Sequence, residues 1–210
     1  MNADEILAQV AKEVAVCQKC VLHHSRKNAV PGEGPANTEI MFIGEGPGFY
    51  ENEQGRPFVG AAGQFLDELL TQAGLKRSDV WIGNVIKCRP PANRDPLPEE
   101  LAACDTYLER QITAINPRII ITLGRYSMAK YMPGVKISAV HGQMRRIGNR
   151  FVIAMFHPAA ALHQISLKPA ISADFAKLPQ MLEQTRTALA KSAPAQPEEP
   201  KEDPKQLNLF

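Results

Sequence analysis

Residues 44–65 read GEGPGFYENEQGRPFVGAAGQF. They follow the apolar run EIMFIG (39–44) and lead into AGQFLDELLTQAG (62–74). In that second segment Phe65, Leu66, Leu69, Leu70 and Ala73 recur at helical spacing until Gly74 stops them. A buried strand, a glycine-rich turn and an amphipathic helix, in that order, form one strand–turn–helix unit of an α/β fold. Gly44, Gly46 and Gly48 leave the turn without side chains, so a ligand can come close to main-chain N–H groups. The glycine spacing is that of neither a P-loop nor G-x-G-x-x-G.

The alternation continues along the chain. VWIGNVIKC (80–88), RIIITLG (118–124) and RFVIAMFHP (150–158) predict three more strands. Residues 3–16 predict a first helix, with Ile6, Val10 and Val14 inward and Asp4 and Glu5 at its start. After the loop RPPANRDPLP, Leu101, Leu108, Ile112 and Ile115 predict another. RYSMAKYM (125–132) predicts a short helix and residues 174–190 a last one. The expected architecture is a three-layer α/β/α sandwich around a central, mostly parallel four-stranded sheet. Ligands of such sheets bind beyond the carboxyl ends of the strands. Those ends carry Glu45, Asn84, Gly124 and His157.

The chain has 210 residues, 44% of them hydrophobic and 22% charged, which suits one globular domain. That domain is expected over residues 1–191. No apolar run approaches the ~20 residues of a membrane helix. The acidic, polar start MNADEILAQVAKEVAVC is not that of a signal peptide, and a cytoplasmic location is expected. From Ser192 two lysines face four acids, so this tail at −2 leaves the body at +4 within a total of +2. A mildly basic body is compatible with nucleic acid without demanding it. Residues 192–205, rich in proline and acids, predict a disordered linker before QLNLF at 206–210.

The four cysteines are Cys17, Cys20, Cys88 and Cys104. In a reducing compartment they are not expected to form disulfides. A C-x-x-C pair with two distant partners reads as one four-thiolate site, against the alternative of four unlinked buried thiols. Zinc and an iron–sulfur cluster both take such ligands. Cys88 and Cys104 do not form the second short knuckle usual for zinc, which favours a cluster of structural role.

Three side chains suggest a planar, polar ligand at the strand ends. Phe58 offers an aromatic face, Asn84 a donor and an acceptor, and His157 a donor to a developing anion. Each also has a plain structural role open to it, as a core ring, a backbone hydrogen-bonding amide or a structural histidine.

Together, GEGPGFYENEQGRPFVGAAGQFLDELL, NVIKCRPPANRDP and HPAAAL closely resemble the family 4, iron–sulfur type of uracil-DNA glycosylase, over about residues 1–190. The resemblance implies a [4Fe-4S] cluster on the four cysteines and removal of uracil from DNA. Uracil would be flipped out over the Gly-Pro-Gly turn. It would stack on Phe58, be read by Asn84, and lose its glycosidic bond while His157 and the Gly46 N–H hold the charge on O2. Related families place an aspartate where Gly46 stands, and this family lacks it. Glu51 and Asn93 match positions implicated in catalysis, with Glu45 a weaker candidate base. Leu162 matches the residue that wedges into the gap left in DNA, or else is a core leucine. His163 stands where many relatives have arginine. Arg56, Arg89, Arg94, Arg145 and Arg146 are candidate phosphate contacts. A variant group that traps uracil-DNA covalently carries a KRRIH insertion, absent from this loop, so turnover is expected.

The end QLNLF resembles the peptide that docks in the bacterial sliding clamp, with Gln206 hydrogen-bonding and Leu207, Leu209 and Phe210 entering a groove. The expectation is a monomeric, nucleoid-associated, monofunctional base-excision-repair hydrolase. Two other classes remain open: a uracil-DNA-binding protein with little turnover, and an iron–sulfur electron-transfer protein.

Overall fold

The computed structural model describes residues 1–192. The linker from residue 193 and the QLNLF peptide lie outside the described residues. A five-stranded sheet runs through the centre: β1 (Ile40–Gly44), β2 (Trp81–Asn84), β3 (Ile119–Leu123), β4 (Gln143–Ile147) and β5 (Arg150–Met155). Their spatial order is β2-β1-β3-β5-β4. All neighbours are parallel except β4, which runs antiparallel to β5.

The fifth strand corrects the expected four. QMRRI is almost wholly exposed at the sheet edge, so neither an apolar run nor an alternation marks it. Gly148 at φ +61° closes its hairpin with β5. The strand expected over 150–158 ends at Met155. His157 instead caps the next helix, which Pro158 opens.

Nine α-helices are described: α1 (Ala3–Ala15), α2 (Phe49–Gln54), α3 (Ala61–Gln72), α4 (Pro98–Ile115), α5 (Arg125–Ala129), α6 (Ile137–Val140), α7 (Pro158–His163), α8 (Lys168–Ala176) and α9 (Leu178–Ser192). The last helix expected over 174–190 is thus two, broken at Lys177.

Strand alternation sorts the side chains to two faces. Phe42, Ile82, Ile119 and Ile121 pack with α3, α8 and α9 through Leu66, Leu69, Phe175 and Leu182. Met41, Ile43, Trp81, Ile120 and Val152 pack against α4 through Leu108 and Ile112. Phe175, fully buried, stacks on Phe42 with ring centroids 6.2 Å apart. Parallel strands buried on both faces keep every carboxyl end at one edge of the sandwich.

Phe175→Ala removes the ring between α8 and the sheet and is expected to cost about 3–5 kcal/mol of unfolding free energy. Urea denaturation checks this; a loss below about 1 kcal/mol would show that this face is not the core.

Candidate active site

A cleft of about 440 Å³ opens at the carboxyl ends of β1, β2 and β5. It gathers ten of the residues singled out from the sequence: Glu45, Gly46, Gly48, Glu51, Phe58, Asn84, Asn93, Arg94, His157 and His163. Gly124 is near but not in its lining.

Asn84 closes β2 in register with Gly44 of β1. It is 1% exposed, and among the described residues its Oδ1 has no hydrogen-bond partner. Buried amide oxygens are nearly always paired, because leaving one bare costs about 1–3 kcal/mol. A Cβ on Gly44 would lie 2.4 Å from that Oδ1 and 2.7 Å from the Phe58 ring, so glycine alone lets the two groups meet. Beneath them the buried Lys87 donates from Nζ to the Asn84 carbonyl at 2.9 Å and to Gln111 Oε1 at 2.8 Å. Burial pushes this ammonium down to about 8.

Phe58 has φ +50°, a left-handed conformation that a bulky residue rarely adopts. Arg77 holds it there. Its guanidinium donates to the carbonyls of both Pro57 and Phe58 and is itself fixed by Glu33 and Asp67. The sequence holds no motif around Arg77, so only the folded chain reveals it as a support for the site.

Glu51 faces main chain. One carboxylate oxygen accepts from Val59 and Gly60 N–H, both at 2.9 Å, and the other from Gly48 N–H at 3.1 Å. It ties the Gly-Pro-Gly turn to the segment carrying Phe58. The Glu45 carboxylate accepts from Tyr126 N–H at 3.1 Å at the start of α5, and burial pushes its pKa up. Asn93, in an exposed left-handed turn at φ +54°, accepts from Arg89 Nε at 2.7 Å. A Cβ on Gly46 would meet Ile86 at 2.8 Å, so an aspartate there has no room unless Ile86 moves.

His157 stacks against Phe58, ring centroids 5.4 Å apart at 22°. Its Nδ1 accepts from Ala159 N–H at 3.1 Å. That bond leaves the proton of the neutral ring on Nε2, making it a donor. Burial lowers the pKa from 6.5 to about 4, and the nearby Glu51 charge opposes this only in part.

Leu162 does not line the cleft, but it belongs to α7, whose Ala159, Ala160 and His163 do, and it is 53% exposed. It is therefore no core leucine. Among the arginines, Arg56 pairs with Glu33 and Arg94 with the fully buried Glu100. Arg145 and Arg146 stand exposed on the edge strand β4.

The four cysteines line one small cavity of their own, where the end of α1, the chain after β2 and α4 meet. Arg26 points a guanidinium N–H at Cys88 Sγ (3.5 Å), and the Lys19 N–H donates to Cys17 Sγ (3.4 Å). Cationic and N–H donors around four thiols suit an anionic, thiolate-bound group. Among the described residues, no trio of His, Cys, Asp or Glu is placed to hold a lone metal ion. As free thiols, Cys88 and Cys104 are pushed up by burial, Cys104 to about 11, a cost that metal ligation reverses.

The description of the uracil DNA glycosylase superfamily matches residues 31–182. The chain is 44% identical over 187 residues to a type-4 uracil-DNA glycosylase of Archaeoglobus fulgidus, covering 84% of this chain and 94% of the relative. It is 46% identical over 166 residues to the type-4 enzyme of Thermotoga maritima, covering 78% and 86%. To a type-5 uracil-DNA glycosylase of Thermus thermophilus it is 33% identical over 149 residues, covering 61% and 68%.

The unfolded chain takes a proton on His157 near pH 6.5, whereas the folded ring resists it until about 4. Between those values the unfolded state binds more protons, so stability falls as pH drops through that window. NMR titration of the His157 ring is expected to show a midpoint near 4, and one near 6.5 would contradict the half-buried, neutral donor.

Proposed function

The chain belongs to the uracil DNA glycosylase superfamily, and from that premise we infer that it hydrolyses the N-glycosidic bond of uracil in DNA. It is a DNA-repair hydrolase that leaves an abasic site.

The observation that carries this reading is the unpaired Oδ1 of Asn84 at the floor of the cleft. Uracil has an N3–H beside its O4, so Oδ1 accepts the first while the amide nitrogen donates to the second. Cytosine presents a bare N3 and an amino group to the same amide, and both pairings fail. Buried polar groups left unpaired give such a site strong discrimination. The base reaches it only when extruded from the helix or already unpaired. Phe58, held in place by Arg77, supplies the stacking face.

As the glycosidic bond lengthens, negative charge collects on uracil O2. The Nε2–H of a neutral His157 and the Gly46 N–H meet that charge. A neutral imidazole serves as a hydrogen-bond donor without giving up its proton. Glu51 is assigned to holding the turn, since three N–H groups occupy its carboxylate. The water that attacks the sugar is assigned to the side of the cleft bearing Glu45 and Asn93.

Cys17, Cys20, Cys88 and Cys104 are assigned to a [4Fe-4S] cluster, supported by their shared cavity. Bound there, the cluster supplies a cross-link between the end of α1, the chain after β2, and α4. Leu162 is assigned to the DNA wedge, supported by its exposure on α7. Gln206, Leu207, Leu209 and Phe210 are assigned to a sliding clamp, with residues 192–205 as the tether. No described helix is long and apolar enough to cross a membrane.

Uracil release from a uracil-containing oligonucleotide tests the function. Wild type is expected to liberate free uracil and leave alkali-labile sites. Asn84→Ala should lose about 100-fold or more in kcat/KM at unchanged fold, since both base-edge bonds are removed. A shifted but uncut complex with wild type would instead favour a uracil-DNA-binding protein. Separately, Cys104→Ser is expected to lower iron content and visible absorbance together with the melting temperature. Retention of all three would exclude Cys104 as a ligand.

A further inference from the structure

α2 is turned against the usual pattern of a short helix. It buries the polar Asn52, whose Oδ1 accepts from Lys27 N–H at 2.9 Å, and leaves its two aromatic residues in water. Phe49 is 52% exposed and Tyr50 58%. Their rings meet edge to face, centroids 5.4 Å apart at 84°. Arg89 lies over Phe49 with its guanidinium carbon 5.4 Å from the ring centre. Both ends of this group adjoin the cleft. Gly48, just before Phe49, lines it, and Arg89 Nε holds Asn93, which also lines it. Paired exposed aromatics at the mouth of a site mark an interaction surface rather than ordinary surface scatter.

We propose that Phe49 and Tyr50, with Arg89, form a shelf on which an unpaired nucleobase next to the extruded uracil stacks, so that single-stranded DNA is the occupant of this surface. The proposal rests on the uracil-DNA glycosylase reading of the cleft. Every nucleobase has a π-face, so an exposed ring braced edge to face by its neighbour holds it without reading its identity, and the guanidinium beside them supplies a cation for the phosphate. In a duplex the flanking base is already stacked and paired, and moving it to the shelf loses those contacts. The shelf therefore favours single strands, where the base is free.

The test uses single-stranded and duplex oligonucleotides with 2-aminopurine next to uracil. Wild type is expected to quench the single-stranded probe on binding. The Phe49→Ala/Tyr50→Ala variant, truncated only at half-exposed positions, should lose that quenching. Its KM for the single strand should rise about tenfold with kcat little changed, and its KM for the duplex should rise less. Phe49→Tyr/Tyr50→Phe, which keeps both rings, should behave as wild type. Unchanged quenching and KM, or an equal rise in KM on both substrates, overturns the shelf while leaving uracil release intact. If wild type releases no uracil, the glycosylase reading falls instead, and the quenching and affinity of the aromatic-free variant still decide the shelf.

Discussion

A buried amide oxygen without a partner, Oδ1 of Asn84, is the constraint around which this molecule is arranged. Leaving it bare costs stability that the packing around Asn84 has to offset. The strand register sets it against Gly44, and the missing side chain of that glycine lets the amide and the Phe58 ring share one wall. Lys87 grips the Asn84 carbonyl from below and is itself adjacent in sequence to one of the four clustered thiols. The unpaired amide of Asn84 and the cysteine cavity are thus joined through one buried side chain.

Glu51, a catalytic candidate in the sequence, meets main chain in the fold. Glu51 satisfies three N–H groups and binds the glycine turn to the Phe58 segment. Glu33 and Asp67 fix Arg77, which in turn holds two carbonyls around a left-handed phenylalanine. The chemistry proposed for the cleft is electrostatic. His157, whose Nδ1 accepts from Ala159 N–H and whose charged form burial disfavours, is assigned with the Gly46 N–H to the charge that a departing base gathers. Such donors act without reorganising during the reaction, which is why so much of the loop structure goes into holding them still.

Much of this was legible before the fold. The strand–turn–helix unit at 39–74, the parallel sheet and the strand-end position of Asn84 followed from apolar periodicity and glycine placement. The edge strand Gln143–Ile147 was not, because an exposed edge carries no apolar signature. Nor was α2, whose six residues put a polar side chain inward and aromatics outward. Arg77 gave no sign, since its partners lie 10, 19, 20 and 44 residues away.

The sequence by itself determined which residue types end the strands and that the four cysteines fall on three separate segments, because strand period and residue chemistry are local properties. Only the tertiary structure decided which polar atoms stay unpaired, which carboxylates are occupied by main chain, and which nitrogen of His157 carries the proton. Those outcomes depend on hydrogen-bond partners and burial contributed by distant segments, and they exist only once the sheet has brought those segments to one edge.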